Sequence, residues 1–183
     1  MPRARNYLTT AEYAVLGLLT RRPSHGYDLQ RRLAPGSTLG RVAPVEPAMV
    51  YATLKSLSGL ELIDGEWDNS VYPPKAVYAP TTSGEAEFER WLRRPVARMR
   101  EVRSDFLVKL YFALEDSTGL AAELIEGQVD ACLAYLAEAE SELAGAEGGT
   151  FDAIVLDSKV SAARLTIEWL QRWRPLLQTA STR

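Results

Sequence analysis

Two runs in the second half of the chain space their apolar residues alternately four and three apart. Ile125, Val129, Cys132, Leu136, Ala139 and Leu143 form one; Leu156, Val160, Ala163, Ile167 and Leu170 form the other. A strand would alternate every second residue. This spacing instead draws one stripe down a helix, the seam of helices packed side by side. The turn Ala146-Glu-Gly-Gly-Thr150 separates the runs, and Asp152 opens the second. No strand signal follows Pro95, and Phe106, Leu107, Leu110, Tyr111 and Leu114 predict a further helix over Arg103–Leu114. Residues 95–183 are therefore expected to be an antiparallel helical dimerisation arm. With so few helices to cover one another, a second copy of the chain is the expected partner. Its expected contacts are Ile125, Val129, Cys132, Leu136, Leu156, Val160, Ile167 and Leu170.

The first half is organised differently. Thr9-x-x-Glu12 reads as a capping box for a helix running to Leu19, and Arg21-Arg-Pro23 ends it. Ser24 is expected to cap a second helix from about His25 to Leu33, closed by Ala34-Pro35-Gly36. A third begins at Pro47, whose missing N–H suits a first turn, with the Glu46 carboxylate beside the positive end of the dipole. There Val50, Leu54 and Leu57 make the apolar stripe, while Ala48, Tyr51, Ala52 and Lys55 lie opposite and Gly59 ends the helix. Two extended runs follow, Leu60–Trp67 and Ala76–Pro80, with Pro73-Pro74 in a loose hairpin tip. Thr82-x-x-Glu85 is a second capping box, opening a helix to about Arg93, and Pro95 marks a boundary. Helix, helix, helix, hairpin is the order of a winged helix-turn-helix domain. The fold class expected is thus mainly α, a winged helix-turn-helix unit over residues 1–94 followed by the arm.

Composition excludes several function classes. One cysteine and one histidine in 183 residues leave no intrachain disulfide and argue against a zinc site, and the thiol usage fits a reducing cytoplasm. The polar start Met1-Pro-Arg-Ala-Arg-Asn does not read as a signal peptide, and no apolar run approaches the ~20 residues that span a bilayer. A cytoplasmic protein without membrane attachment is expected. No nucleophile–base pair, phosphate loop or metal spacing is present, so no catalytic residue, metal or cofactor is assigned. The net charge of −3 conceals an asymmetry. Residues 1–60 carry eight Lys/Arg against three acids, including Arg3 and Arg5, whereas residues 110–158 contain eleven acids and no Lys or Arg. A basic front half can sit on phosphates that an acidic arm would repel.

These features point to double-stranded DNA as a partner, with the third helix in the major groove. The small side chains of Pro47, Ala48 and Ala52 let its backbone approach the bases. Tyr51 either donates its hydroxyl to a phosphate, with Lys55 one turn on, or is a half-buried tyrosine packed on the preceding helix. His25 and Gly26 lie at a helix N-terminus and suit a phosphate, although a plain cap at Ser24 and a packing glycine explain them equally. The arginines at positions 90, 93, 94, 98, 100 and 103 either reach flanking DNA or, as expected here, face water or pair with the acidic helix from Glu115 onward. If Trp91, Tyr111, Phe112, Trp169 and Trp173 converge, they line a pocket for a planar ligand; otherwise they are core and packing residues.

Four motifs together resemble PadR-type transcriptional regulators: Leu16-Gly-Leu-Leu19, Pro23-Ser-His-Gly-Tyr-Asp-Leu29, Val50-Tyr-Ala-Thr-Leu-Lys-Ser-Leu57 with Gly59-Leu-Glu-Leu-Ile63, and Tyr78-Ala-Pro-Thr-Thr-Ser-Gly84. The long tail is similar to the larger branch of that family, whose tail dimerises. The resemblance implies a homodimeric repressor on inverted-repeat operators, released by a small hydrophobic or aromatic effector. The chain departs from the family pattern at Glu46-Pro-Ala48, where a small polar cap is usual. It departs again in a wing that is acidic at Asp64, Glu66 and Asp68, with Lys75 as its only cation. That wing leaves a second reading open, a winged-helix protein-interaction module without sequence-specific DNA binding.

Overall fold

The computed structural model describes residues 8–68 and 75–180, which fall into two compact units, residues 1–93 and 94–183. Arg3, Arg5 and the hairpin tip at Pro73-Pro74 lie outside the described residues.

The first unit contains α1 (Thr10–Arg21), β1 (Ser24–His25), α2 (Gly26–Leu33), α3 (Pro47–Gly59), β2 (Ile63–Asp68), β3 (Lys75–Pro80) and α4 (Thr82–Leu92). It is a winged helix-turn-helix. The capping box that opens α1 is formed: the Glu12 amide donates to Thr9 Oγ1 at 3.2 Å and the Thr9 amide to Glu12 Oε2 at 2.7 Å. The second Glu12 oxygen accepts from Ser56 Oγ at 2.7 Å, so a buried capping carboxylate also ties α1 to α3. Leu16 and Leu19 of α1, Leu29 and Leu33 of α2, and Val50, Leu54 and Leu57 of α3 are buried together with Phe88 of α4. Truncating any one leucine of this set removes about 2–5 kcal/mol.

Four local expectations shift. Ser24 does not cap α2; it pairs with Tyr78 as part of β1, and its hydroxyl donates to the Arg22 carbonyl at 2.9 Å. His25 takes the N-cap position without a side-chain capping bond. The strand expected from Leu60 starts at Ile63, because residues 60–62 form a turn in which Glu61 takes the left-handed conformation, φ 57°. The second capping residue is Thr81, not Thr82: its hydroxyl oxygen accepts from the Gly84 amide at 3.1 Å and its proton goes to the Glu61 carbonyl at 2.8 Å. A β-carbon on Gly84 would sit 2.0 Å from the Leu62 carbonyl oxygen, so glycine is what lets α4 start against that turn. The sheet order is β1-β3-β2, antiparallel throughout.

The second unit contains a 3-10 turn at Met99–Glu101, a π turn at Val102–Phe106, then α5 (Leu107–Asp116), α6 (Thr118–Ala144) and α7 (Phe151–Ala180). The helices α6 and α7 run antiparallel. Glu140 and Arg164 pair near the connecting turn at 2.6 Å, and Glu126 pairs with Arg174 far from it. This packing corrects the expected dimer interface. Ile125, Val129, Cys132, Val160, Ile167 and Leu170 are buried within one chain, and Leu136 and Leu156 are half-buried. The four-three seam joins α6 to α7 of the same molecule. Of the hinge arginines, Arg90, Arg93 and Arg98 face water, as expected, while their ion pairs are local, to Glu87, Glu89 and Glu101, rather than to the acidic helix; Glu140 and Glu126 of α6 pair with Arg164 and Arg174 of α7.

Candidate nucleic-acid interface

The packing of α3 decides which of its residues are left for a partner. Val50, Thr53, Leu54 and Leu57 face the core, so Pro47, Ala48, Met49, Tyr51, Ala52 and Lys55 are exposed. Gln30 Nε2 of α2 donates to the Pro47 carbonyl at 3.2 Å and ties the preceding helix to the start of α3. For Tyr51 and Gly26 the structure shows the packing that one of their two readings expects. A β-carbon on Gly26 would lie 2.7 Å from Tyr51 Cε1, so the tyrosine ring rests on the bare α-carbon of α2. Tyr51 remains 51 % exposed, which leaves its hydroxyl open to solvent above that contact. Tyr27 and Arg31, on the exposed side of α2, and Met49 extend the same kind of surface and were not singled out from the sequence. Exposure of a tyrosine beside a packing glycine has no periodic signature.

His25 sits at the N-terminus of α2, and its Nδ1 lies 3.1 Å from the Ala76 carbonyl of β3, the distance of a hydrogen bond donated by the ring. His25 thus joins α2 to the wing.

In β2 the acidic side chains Asp64, Glu66 and Asp68 share one face, and Gly65 and Trp67 share the other. Lys75 is exposed at the base of β3, directly opposite Asp68 in register. The acid row would repel a phosphate backbone, so the described part of the wing adds little electrostatic grip. Trp67 is a large exposed side chain on that wing.

The five aromatics are held by separate contacts within their own units. Trp91 stacks on Tyr13 in the first unit, centroids 4.2 Å apart, and the Tyr13 hydroxyl donates to Glu87 Oε1 at 2.7 Å. Burial, and then that carboxylate, push the Tyr13 phenol well above its ordinary value. Within the second unit Phe112 is fully buried with Tyr111 edge-on to it, and Trp169 meets Phe106 edge-on at 6.2 Å. Trp173 is half exposed. Only Trp169 lines the broad groove of the arm.

Two buried polar side chains that the sequence pattern hid fix the start of the arm. Gln128 accepts from the Val96 amide at 2.7 Å and donates to the Val96 carbonyl at 3.0 Å, and Lys109 Nζ donates to the Arg94 carbonyl at 2.5 Å. Desolvation lowers the Lys109 ammonium from 10.5 to about 8, with Asp105 opposing the shift and Arg94 adding to it. Cys132 lies beside Gln128, and burial raises its thiol, which removes the thiolate a redox sensor needs. Among the described residues no cluster of His, Cys, Asp and Glu suits a metal, and no helix is long and apolar enough to cross a membrane.

Comparison with known proteins matches both units. Residues 15–90 fit the transcriptional regulator PadR-like family, and residues 102–178 fit the virulence activator alpha C-terminal region. The negative transcriptional regulator PadR of Bacillus subtilis (strain 168) is 26 % identical over 171 residues, covering 87 % of this chain and 93 % of that protein. The structure of Bacillus subtilis PadR in complex with operator DNA is 24 % identical, covers 92 % of this chain and 99 % of that one, and superposes with a TM-score of 0.44. For a PadR-like transcriptional regulator from Bacillus cereus the values are 25 %, 95 %, 99 % and 0.44. The span of the first match takes in α2, α3, the wing and nearly all of α4, so the first unit carries a PadR-like transcriptional regulator domain.

Proposed function

We propose that this regulator represses transcription as a homodimer, placing one α3 in the major groove of each half of an inverted-repeat operator. The observation that carries this reading is the outward face of α3. Small side chains at Ala48 and Ala52 are exposed beside Lys55 and a Tyr51 seated on Gly26. Lys55 and the Tyr51 hydroxyl contact phosphates and set register, while the backbone of α3 approaches base edges. The negative regulator of Bacillus subtilis supports the sign of regulation.

The second copy meets a surface other than the four-three seam, which one chain consumes. Phe151 and Ile154 on α7, 77 % and 62 % exposed, supply an apolar surface suited to a twofold interface. A small hydrophobic effector held by the arm would release DNA by favouring one of two arrangements of the dimer, and its leverage equals its difference in affinity for them.

Replacing Tyr51 and Lys55 together by Ala tests the assignment. Fluorescence anisotropy should show duplex binding lost while sedimentation shows the dimer unchanged; retained affinity refutes the role of α3. Ile154→Asp should instead yield monomers, and a dimer that persists refutes the interface.

A further inference from the structure

The second unit holds a groove of about 1160 Å³ between the turn region 97–107, Tyr135 of α6 and the outward side of α7. Its floor is mostly aliphatic, with Met99, Val102, Leu107 and Leu165 around the indole of Trp169. Its rim is cationic: Arg98, Arg100, Arg103 and Lys159 line it, and no carboxylate does. Glu101 answers Arg98 at 3.1 Å and lies 4.0 Å from Arg100. Arg103 and Lys159 have no hydrogen-bond or ion-pair partner among the described residues. Arg103 also sits on the π turn, a backbone irregularity frequent at functional sites.

We infer that this groove binds a long-chain aliphatic carboxylate, its chain along Met99, Val102, Leu107 and Leu165 and its head group at Arg103 and Lys159. Three features select this ligand. The unanswered cations call for an anion, because a neutral ligand would leave them as they are. The aliphatic floor gains by covering apolar surface, which an inorganic anion does not provide. The volume exceeds what a single-ring acid fills, since pockets for drug-sized ligands already run to about 300–1,000 Å³. Leu165 is on α7 with Ile154, so a ligand covering it alters the helix that the proposed dimer uses. Only that regulatory consequence rests on the homodimeric reading; binding itself does not.

The test is calorimetric titration of the full chain with dodecanoate below its micelle concentration, beside dodecanol and 2-naphthoate. Dodecanoate should bind at least about tenfold more tightly than either and should raise the melting temperature. Arg103→Gln with Lys159→Gln should weaken dodecanoate about tenfold or more while leaving dodecanol unchanged. Equal affinity for acid and alcohol, tighter binding of naphthoate, or an unaffected double variant overturns the proposal. So does a groove closed by a second copy, seen as no dodecanoate binding together with dissociation of the dimer in Leu165→Asp. Because no DNA enters the titration, failure here leaves the assignment of α3 standing, and loss of duplex binding leaves this site standing.

Discussion

Replacing Gly26 by Ala separates recognition from stability more cleanly than removing a contact residue. The new β-carbon would meet Tyr51 Cε1 at 2.7 Å and Cζ at 3.2 Å, against the 3.4–4 Å of ordinary contact. Tyr51 is half exposed and can swing away, so the clash is relieved by moving its ring about 1 Å rather than by breaking the core. That displacement takes a hydroxyl–phosphate bond of normal length out of range. A hydrogen bond to a charged group is worth about 1.5–3 kcal/mol, or roughly tenfold to a hundredfold per half-site. With both half-sites affected, duplex affinity should fall at least about a hundredfold. The melting temperature should stay within about 2 °C, since alanine in a helix gains back part of what the ring loses. Anisotropy with labelled duplex at about 50 mM salt reads the first, and differential scanning calorimetry the second. In a Tyr51→Ala background the Gly26→Ala change should have no further effect on affinity. An undiminished affinity in the single variant, or full additivity in the double, refutes the seating of Tyr51 on α2.

Three other outcomes follow from buried contacts. Gly84→Ala forces a β-carbon to 2.0 Å from the Leu62 carbonyl oxygen, so backbone must move; urea unfolding should show a loss of about 2–4 kcal/mol. Gln128→Leu strands the amide and carbonyl of Val96 and should cost about 2–4 kcal/mol in the same assay; a neutral result would mean that water reaches them. Lys109 titrates at about 8 in the folded chain and 10.5 when unfolded, so between those values the unfolded chain holds more protons. Stability should therefore rise with pH from 8 to 9.5 relative to Lys109→Met, by about 2 kcal/mol at most; a falling difference contradicts the burial of this ammonium.

The order of the main helices was readable because they left local marks: the Thr9–Glu12 box, Pro47 at a first turn, and two apolar stripes with helical spacing. The four-three repeat showed that helices pack along a seam, but its spacing is the same whether the partner helix belongs to one chain or two. That is why Ile125, Val129 and Cys132 were misplaced at a dimer contact. The β1 strand is too short, at two residues, to carry a period, and the backbone partner of His25 is 51 positions away. Glu61 rather than Gly59 takes the left-handed turn after α3, and its carbonyl accepts from the Thr81 hydroxyl 20 positions away, a partner no local pattern announces. Of the exposed residues proposed to face DNA, Ala48, Tyr51, Ala52 and Lys55 followed from the stripe opposite the core. Tyr27 and Arg31 did not, because exposure on α2 depends on how that helix docks.

Hydroxyl-radical footprinting on the DNA upstream of the protein's own coding region tests the central claim most directly. Two protected patches centred about 10 base pairs apart, or a multiple of that turn, are predicted for the wild-type chain. Both should vanish when Tyr51 and Lys55 are replaced by Ala. A single protected patch, or protection that survives the double replacement, would contradict a paired molecule reading DNA through α3.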